Sequence, residues 1–135
     1  MEGIPSGFEP IDRQSPYLSL MGPIFNKKVG DSIVFGFRAE EKHCNARGFV
    51  HGGVLSGIAD VALGHNSAFY RGEFLPMVTA SLTIDFAGSI KCGEWVEIET
   101  DVQKVGANLA FANCYFVVES KRVARASSVF HVVQK

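Results

Sequence analysis

The residues best suited to chemistry lie in "RGFVHGGVLSGIAD", Arg47 to Asp60, where a histidine and two glycines precede an apolar segment that stops at one carboxylate. Gly52 and Gly53 fall in the first turn of the helix that this segment predicts. Backbone N–H groups there lack intrahelical acceptors, and the positive end of the helix dipole points outward. Such a turn receives an anion or a developing oxyanion, and glycine lets it approach closely. Asp60 adds a carboxylate, so the stretch carries the minimum set of groups for hydrolysing an acyl bond. Distance stands in the way: eight residues of helix rise about 12 Å, too far for Gly52 and Asp60 of one chain to touch the same carbonyl. Two such helices running antiparallel in a two-fold dimer would place Gly52 of one chain near Asp60 of the other, giving two sites per dimer.

The helix that must position these groups runs from Gly52 to about Tyr70. Val54, Leu55, Ile58, Val61, Ala62 and Phe69 fall within one broad apolar arc at about 100° per residue. Gly53, Ser56, Gly57, Gly64 and Ser67 lie within about 60° of Asp60 on another face, interrupted only by Leu63. A solvated face would carry Lys, Glu and Gln. A face of small residues admits a ligand or another backbone, which makes Gly53, Ser56 and Gly57 candidate substrate contacts. From the helix alone, a packing face bearing a hydrogen-bonded Asp is an equally good account.

Around that helix the chain reads mostly as strands. "SPYLSLMGP" predicts a short helix capped by Ser15, with Pro16 in its first turn and Gly22-Pro23 ending it. "IFNKKV" and "SIVFGFRA" form a hairpin about Gly30-Asp31, and residues 40 to 50 form a loop. After Gly72 come four strand-like runs, "MVTASLTIDF", "EWVEIETDVQKV", "NLAFANCYFVVE" and "RVARASSVFHVV". Their short links predict that consecutive strands are antiparallel neighbours. The fold class is α+β, an antiparallel sheet of five or six strands with one long helix laid on it.

Composition narrows the function classes. Residues 1–135 are expected to form a single domain, with residues 1–22 an N-terminal arm and short helix. Hydrophobic residues make up 47% and charged residues 20%, with eleven Phe, which is a folded profile. A net charge of −1 with no basic stripe nominates no nucleic acid. Cys44, Cys92 and Cys114 are widely spaced, arguing against a disulfide framework and a structural zinc site. No apolar run approaches the ~20 residues of a membrane span and no leader pattern opens the chain, so a soluble, cytoplasmic protein is expected. The four histidines form no metal-ligand set, and His65, about 140° from Asp60, is read as a satisfied, partly buried side chain. A Gly-x-Ser-x-Gly elbow is absent, which argues against a covalent serine triad.

His43, Asn45, Gly48, His51, Gly52, Gly53 and Asp60 together form "HxNxxGxxHGGxxxxxxD". This pattern resembles the hotdog-fold acyl-CoA thioesterases of the PaaI-like and thioesterase-superfamily-member-2 type. "VTASLTIDFAGSIKCGE" and "KVGANLAFANCYF" extend the resemblance across roughly residues 40 to 133. It implies a long central helix wrapped by a curved antiparallel sheet, a homodimer with intersubunit sites, and often a dimer of dimers. It also implies an acyl-CoA substrate and neither metal nor organic cofactor. Under the resemblance, Asp60 would be nucleophile or general base and the Gly52 N–H would bind the oxyanion. Asn45 would position the thioester or the attacking water, and His51 would brace the loop and the start of the helix. Thr79 would help to orient water, although it alternates in phase with Ser81, Thr83 and Asp85 rather than with the apolar face that should meet the helix. A bulge, or a site reached across the dimer seam, would reconcile it.

Two alternatives compete with hydrolysis. A non-catalytic hotdog dimer binding acyl-CoA or an aromatic ligand has no use for a buried carboxylate. A hotdog hydratase or dehydratase would need a different His and acidic pair, which is not present.

Overall fold

A computed structural model describes residues 3–13 and 15–133. The N-terminal arm contributes the two-residue strand β1 (Glu9–Pro10) and the short helix α1 (Pro16–Met21). Ser15 caps α1, its Oγ accepting the Leu18 N–H at 3.1 Å, and Pro16 opens the first turn without needing an acceptor. β2 (Phe25–Val29) and β3 (Ser32–Arg38) form the expected hairpin, turning at Gly30 with φ of +60°. A single 3₁₀ turn, Glu41–His43, interrupts the loop that follows. Then come α2 (Gly52–Ala68), β4 (Met77–Phe86), β5 (Trp95–Val105), β6 (Leu109–Val118) and β7 (Lys121–Val132).

All seven strands join one antiparallel sheet in the order β1-β2-β3-β5-β6-β7-β4. Six are the strands that the sequence predicts, and β1 extends one edge. The expectation that consecutive strands are neighbours fails at one place. β4 pairs with β7 rather than β5, at the far edge of the sheet. The intervening link, residues 87–94, is long enough: β4 and β5 are three strand spacings apart, about 14 Å, and eight residues can span about 26 Å.

Extra residues at Ala80 in β4, Gln103 in β5 and Val123 in β7 interrupt the regular pairing. Each such bulge raises the local twist, which lets the sheet coil about a single helix. α2 packs against β3, β4, β5, β6 and β7. Its buried arc is therefore wider than one apolar stripe, and Leu63 and Ser67 are fully buried with Ile58, Ala59 and Ala62. Ser67 thus belongs to the core and not to the open face around Asp60. Facing the helix, Phe35, Phe37, Ile98, Phe116 and Phe130 fill the interior, each worth about 1.5–3 kcal/mol of apolar burial.

Asn66, also buried, satisfies itself on the strand beside it. Its Oδ1 accepts the Ile33 N–H at 2.8 Å, while Nδ2 donates to the Ile33 and Ala62 carbonyls, each at 3.0 Å. Among the described residues, no helix is long and apolar enough to cross a membrane.

Candidate active site

Asp60 sits partly buried midway along α2, and Thr79 Oγ1 donates to its Oδ1 at 2.5 Å. A hydrogen bond to an ionised carboxylate is short and strong, so it fixes the rotamers of both side chains. The bulge explains how Thr79 reaches it. Thr79 pairs with Phe130 and Ser81 with Val129, so the extra residue, Ala80, turns Thr79 toward the helix while Ser81, Thr83 and Asp85 face away. Asp85 instead meets Arg125 at 3.0 Å on the exposed surface.

The other candidate groups lie at the start of α2. His51 is the N-cap: its Nδ1 accepts the Gly53 N–H at 2.8 Å, and its own N–H donates to the His43 carbonyl at 2.9 Å. Val54 and Leu55 donate to the His51 carbonyl. Of the first-turn donors, only the Gly52 N–H has no acceptor among the described residues. The loop before it is organised by Asn45, whose Oδ1 accepts the Arg47 N–H at 2.9 Å and the Phe49 N–H at 3.2 Å. This leaves the Asn45 Nδ2 donors available. Asn45 and Gly52 line one cavity of about 240 Å³, whereas Asp60 and Thr79 line another of about 270 Å³. Within one chain the carboxylate and the free N–H thus belong to different hollows.

Gly53, Ser56 and Gly57 of this face are engaged within the chain. The Gly53 N–H is held by His51, and Ser56 Oγ donates to the Gly52 carbonyl at 3.0 Å. Gly57 is covered by Tyr17 of α1, whose hydroxyl occupies the place a Cβ would take. Tyr17 also lines the Asp60 cavity. Burial, and after it the charge of Asp60, push its hydroxyl above the usual tyrosine range. No periodicity connects a residue in the N-terminal arm with Gly57, so sequence reasoning missed it.

What holds α1 in place is His43 of the motif. Fully buried, it accepts the Glu40 N–H on Nδ1 at 2.9 Å, so Nε2 carries the proton toward the Met21 carbonyl at 2.7 Å. His43 therefore ties the end of α1 to the loop that carries Asn45.

His65 forms part of the Asp60 cavity, its ring edge-on to Phe35 and tilted on Phe69. Burial lowers its pKa, Arg13 lowers it further, and Asp12 partly opposes them. Because the folded state disfavours the imidazolium, the unfolded chain binds more protons once pH falls below the ordinary histidine value of about 6.5. Stability is therefore present above that value and is lost below it. His65→Gln is expected to flatten this loss in urea midpoints measured from about pH 7.5 down to 5.5. An unchanged slope would place the titration elsewhere.

Among the described residues, no three His, Cys, Asp or Glu side chains converge as a metal site. All three cysteines are free thiols, and burial pushes that of Cys114 up to about 12.

Comparison with known proteins agrees with this architecture. The profile of the thioesterase superfamily matches residues 47–125. A Pseudomonas aeruginosa protein with a provisional esterase name is 44% identical over 133 residues, covering 98% of this chain and 99% of that protein. Zebrafish thioesterase superfamily member 2 superposes with a TM-score of 0.75 at 25% identity, covering 82% of this chain and 81% of that one. The Escherichia coli PaaI protein of the phenylacetic acid degradation operon shares the fold, with a TM-score of 0.78 at 21% identity over 89% of this chain and 86% of its own. One long helix in an antiparallel wrap, with a carboxylate and a free N–H along it, is thus a hotdog fold, and the chain belongs to the thioesterase superfamily.

Proposed function

We propose that the protein is an acyl-CoA thioesterase whose sites are each assembled from two copies of the chain. The observation that carries this reading is the division of α2. The Thr79-anchored Asp60 carboxylate and the unengaged Gly52 N–H are about 12 Å apart along one helix, so a single carbonyl meets both only when a second α2 lies antiparallel. The long edge strand β4, with Val78 and Phe86 exposed, offers a surface on which a second copy can continue the sheet. Pairing of dimers into a tetramer is part of the same proposal.

In such a site the Asp60 carboxylate drives attack on the thioester carbonyl, as general base toward water or as nucleophile. The oxyanion that forms accepts the Gly52 N–H of the other copy, aided by the dipole of its helix. Asn45 Nδ2 positions the thioester or the attacking water. Thr79 holds the carboxylate in one orientation, while His51 keeps the first turn wound so that the Gly52 N–H projects outward. Gly53 and Ser56 keep the helix face narrow enough for substrate to pass, while the space at Gly57 is taken by Tyr17. The apolar wall of the Asp60 cavity, Phe74, Met77 and Phe130 among it, receives the acyl group. Residence in the cytoplasm, where acyl-CoA is made and used, is in keeping with this chemistry.

The deciding experiment is a panel of short, medium, long and aryl acyl-CoAs, with released thiol measured continuously. Saturable hydrolysis of at least one member is the expected result. Absence of turnover across the panel, with ligand binding retained, would mark the chain as a binding protein instead.

A further inference from the structure

Tyr17 has no part in the chemistry described so far, yet the fold delivers it to Asp60. The Ser15 cap, the burial of Leu18 and the His43 bond to the Met21 carbonyl fix α1 against the body of the protein. From there the ring crosses α2 at Gly57, where any side chain would overlap its hydroxyl. Gly57 and Asp60 are three residues apart, hence neighbours on one face of the helix. Tyr17 and Asp60 line the same cavity of about 270 Å³. Asp60 Oδ1 is engaged by Thr79, but Oδ2 has no protein partner among the described residues, and neither does Tyr17 Oη. Two unpartnered polar atoms thus belong to residues lining one hollow, with the hydroxyl set at Gly57, a single helical turn from Asp60.

We infer that Tyr17 Oη and Asp60 Oδ2 together hold the attacking water, which makes Tyr17 a water-positioning residue and Asp60 the general base. The inference rests on the thioesterase reading and deepens it. The phenol donates to one lone pair of the water, and one water O–H donates to Asp60 Oδ2. The other lone pair faces the thioester carbon. As the new C–O bond forms, the water proton passes to Oδ2 and the carbonyl π pair moves onto oxygen, toward the Gly52 N–H of the other copy. When the carbonyl re-forms, the C–S bond breaks and the departing thiolate takes the proton from Asp60. Carboxylic acid and free thiol are the products, and the carboxylate is regenerated. Tyr17 keeps its proton throughout, in accord with a hydroxyl pushed above the usual tyrosine range.

Tyr17→Phe, which retains the ring, tests this on the acyl-CoA that the wild type hydrolyses fastest. Loss of kcat by about tenfold or more is expected, with KM within about twofold and an unchanged melting temperature. Gly57→Ala should show the same loss, because its methyl displaces the hydroxyl even though alanine favours the helix. Adding Tyr17→Phe to Asp60→Asn should lower the rate no further, since both act on one water. A purely structural tyrosine would leave the kcat of Tyr17→Phe at the wild-type level, and that result overturns the inference, as would additive losses in the double variant. If Asp60→Asn is inactive while Tyr17→Phe is fully active, only this inference falls. If the wild type hydrolyses no acyl-CoA, it falls together with the reading beneath it.

Discussion

Asp60→Asn is expected to lower kcat on the best acyl-CoA by about 10²–10⁴-fold, with little change in KM. Asparagine keeps the shape of the side chain, and its carbonyl oxygen can still accept the hydrogen bond from Thr79 Oγ1. What it lacks is the charge and the ability to take a proton or attack a carbonyl. The variant therefore removes the chemistry while sparing the architecture, and its urea midpoint should stay near that of the wild type. Steady-state kinetics beside a denaturation curve check both halves. Full activity in a well-folded Asp60→Asn protein would remove the carboxylate from the mechanism.

Gly52→Pro should lower kcat by about 10²–10³-fold, the usual consequence of deleting one oxyanion donor, equivalent to about 2.7–4 kcal/mol. Proline suits this test because Gly52 is the first residue of α2, where a missing N–H leaves the helix ladder intact. A Cβ there meets the ring tip of Phe86 at 3.0 Å. Phe86 is 52% exposed and free to turn aside, so the fold should tolerate the change. Mixing the two inactive proteins gives the larger payoff. In a dimer of one Asp60→Asn chain and one Gly52→Pro chain, one site inherits both lesions and the other inherits none. Random exchange makes half the dimers mixed, so activity should return to about a quarter of the wild-type level. Mixed dimers verified by native mass spectrometry but without activity would contradict sharing of sites between chains.

Much of this was legible in the amino-acid order because it depends on local rules. The Ser15 cap, the turn at Gly30, the start of α2 and the 12 Å between Gly52 and Asp60 need only propensities and a helical rise. The rest depends on partners distant in sequence. Alternation puts Thr79 with Ser81, and only the ladder to β7 reveals that Ala80 is an extra residue. Short links favour neighbouring strands, but residues 87–94 lead away from β4 to a strand three places off. Ser67 looks like part of a small open face until five strands surround the helix. Tyr17 approaches Gly57 because His43 secures α1 from a loop more than twenty residues on, a contact with no sequence period to announce it.

The extra residue in β4 also sets a parity for the strand. Counting from Phe86 backward, even positions face the helix as far as Leu82; before Ala80 the odd positions, Thr79 and Met77, do so. Excising Ala80 would keep Thr79 opposite Phe130 and Ser81 opposite Val129, so the strand could lose a residue without changing which side chains look inward. Its two segments thus answer to different surroundings: the later one to the core, and the earlier one to the wall of the Asp60 cavity. A pattern read straight through such a strand mixes two registers, and the misfit itself marks where one gives way to the other.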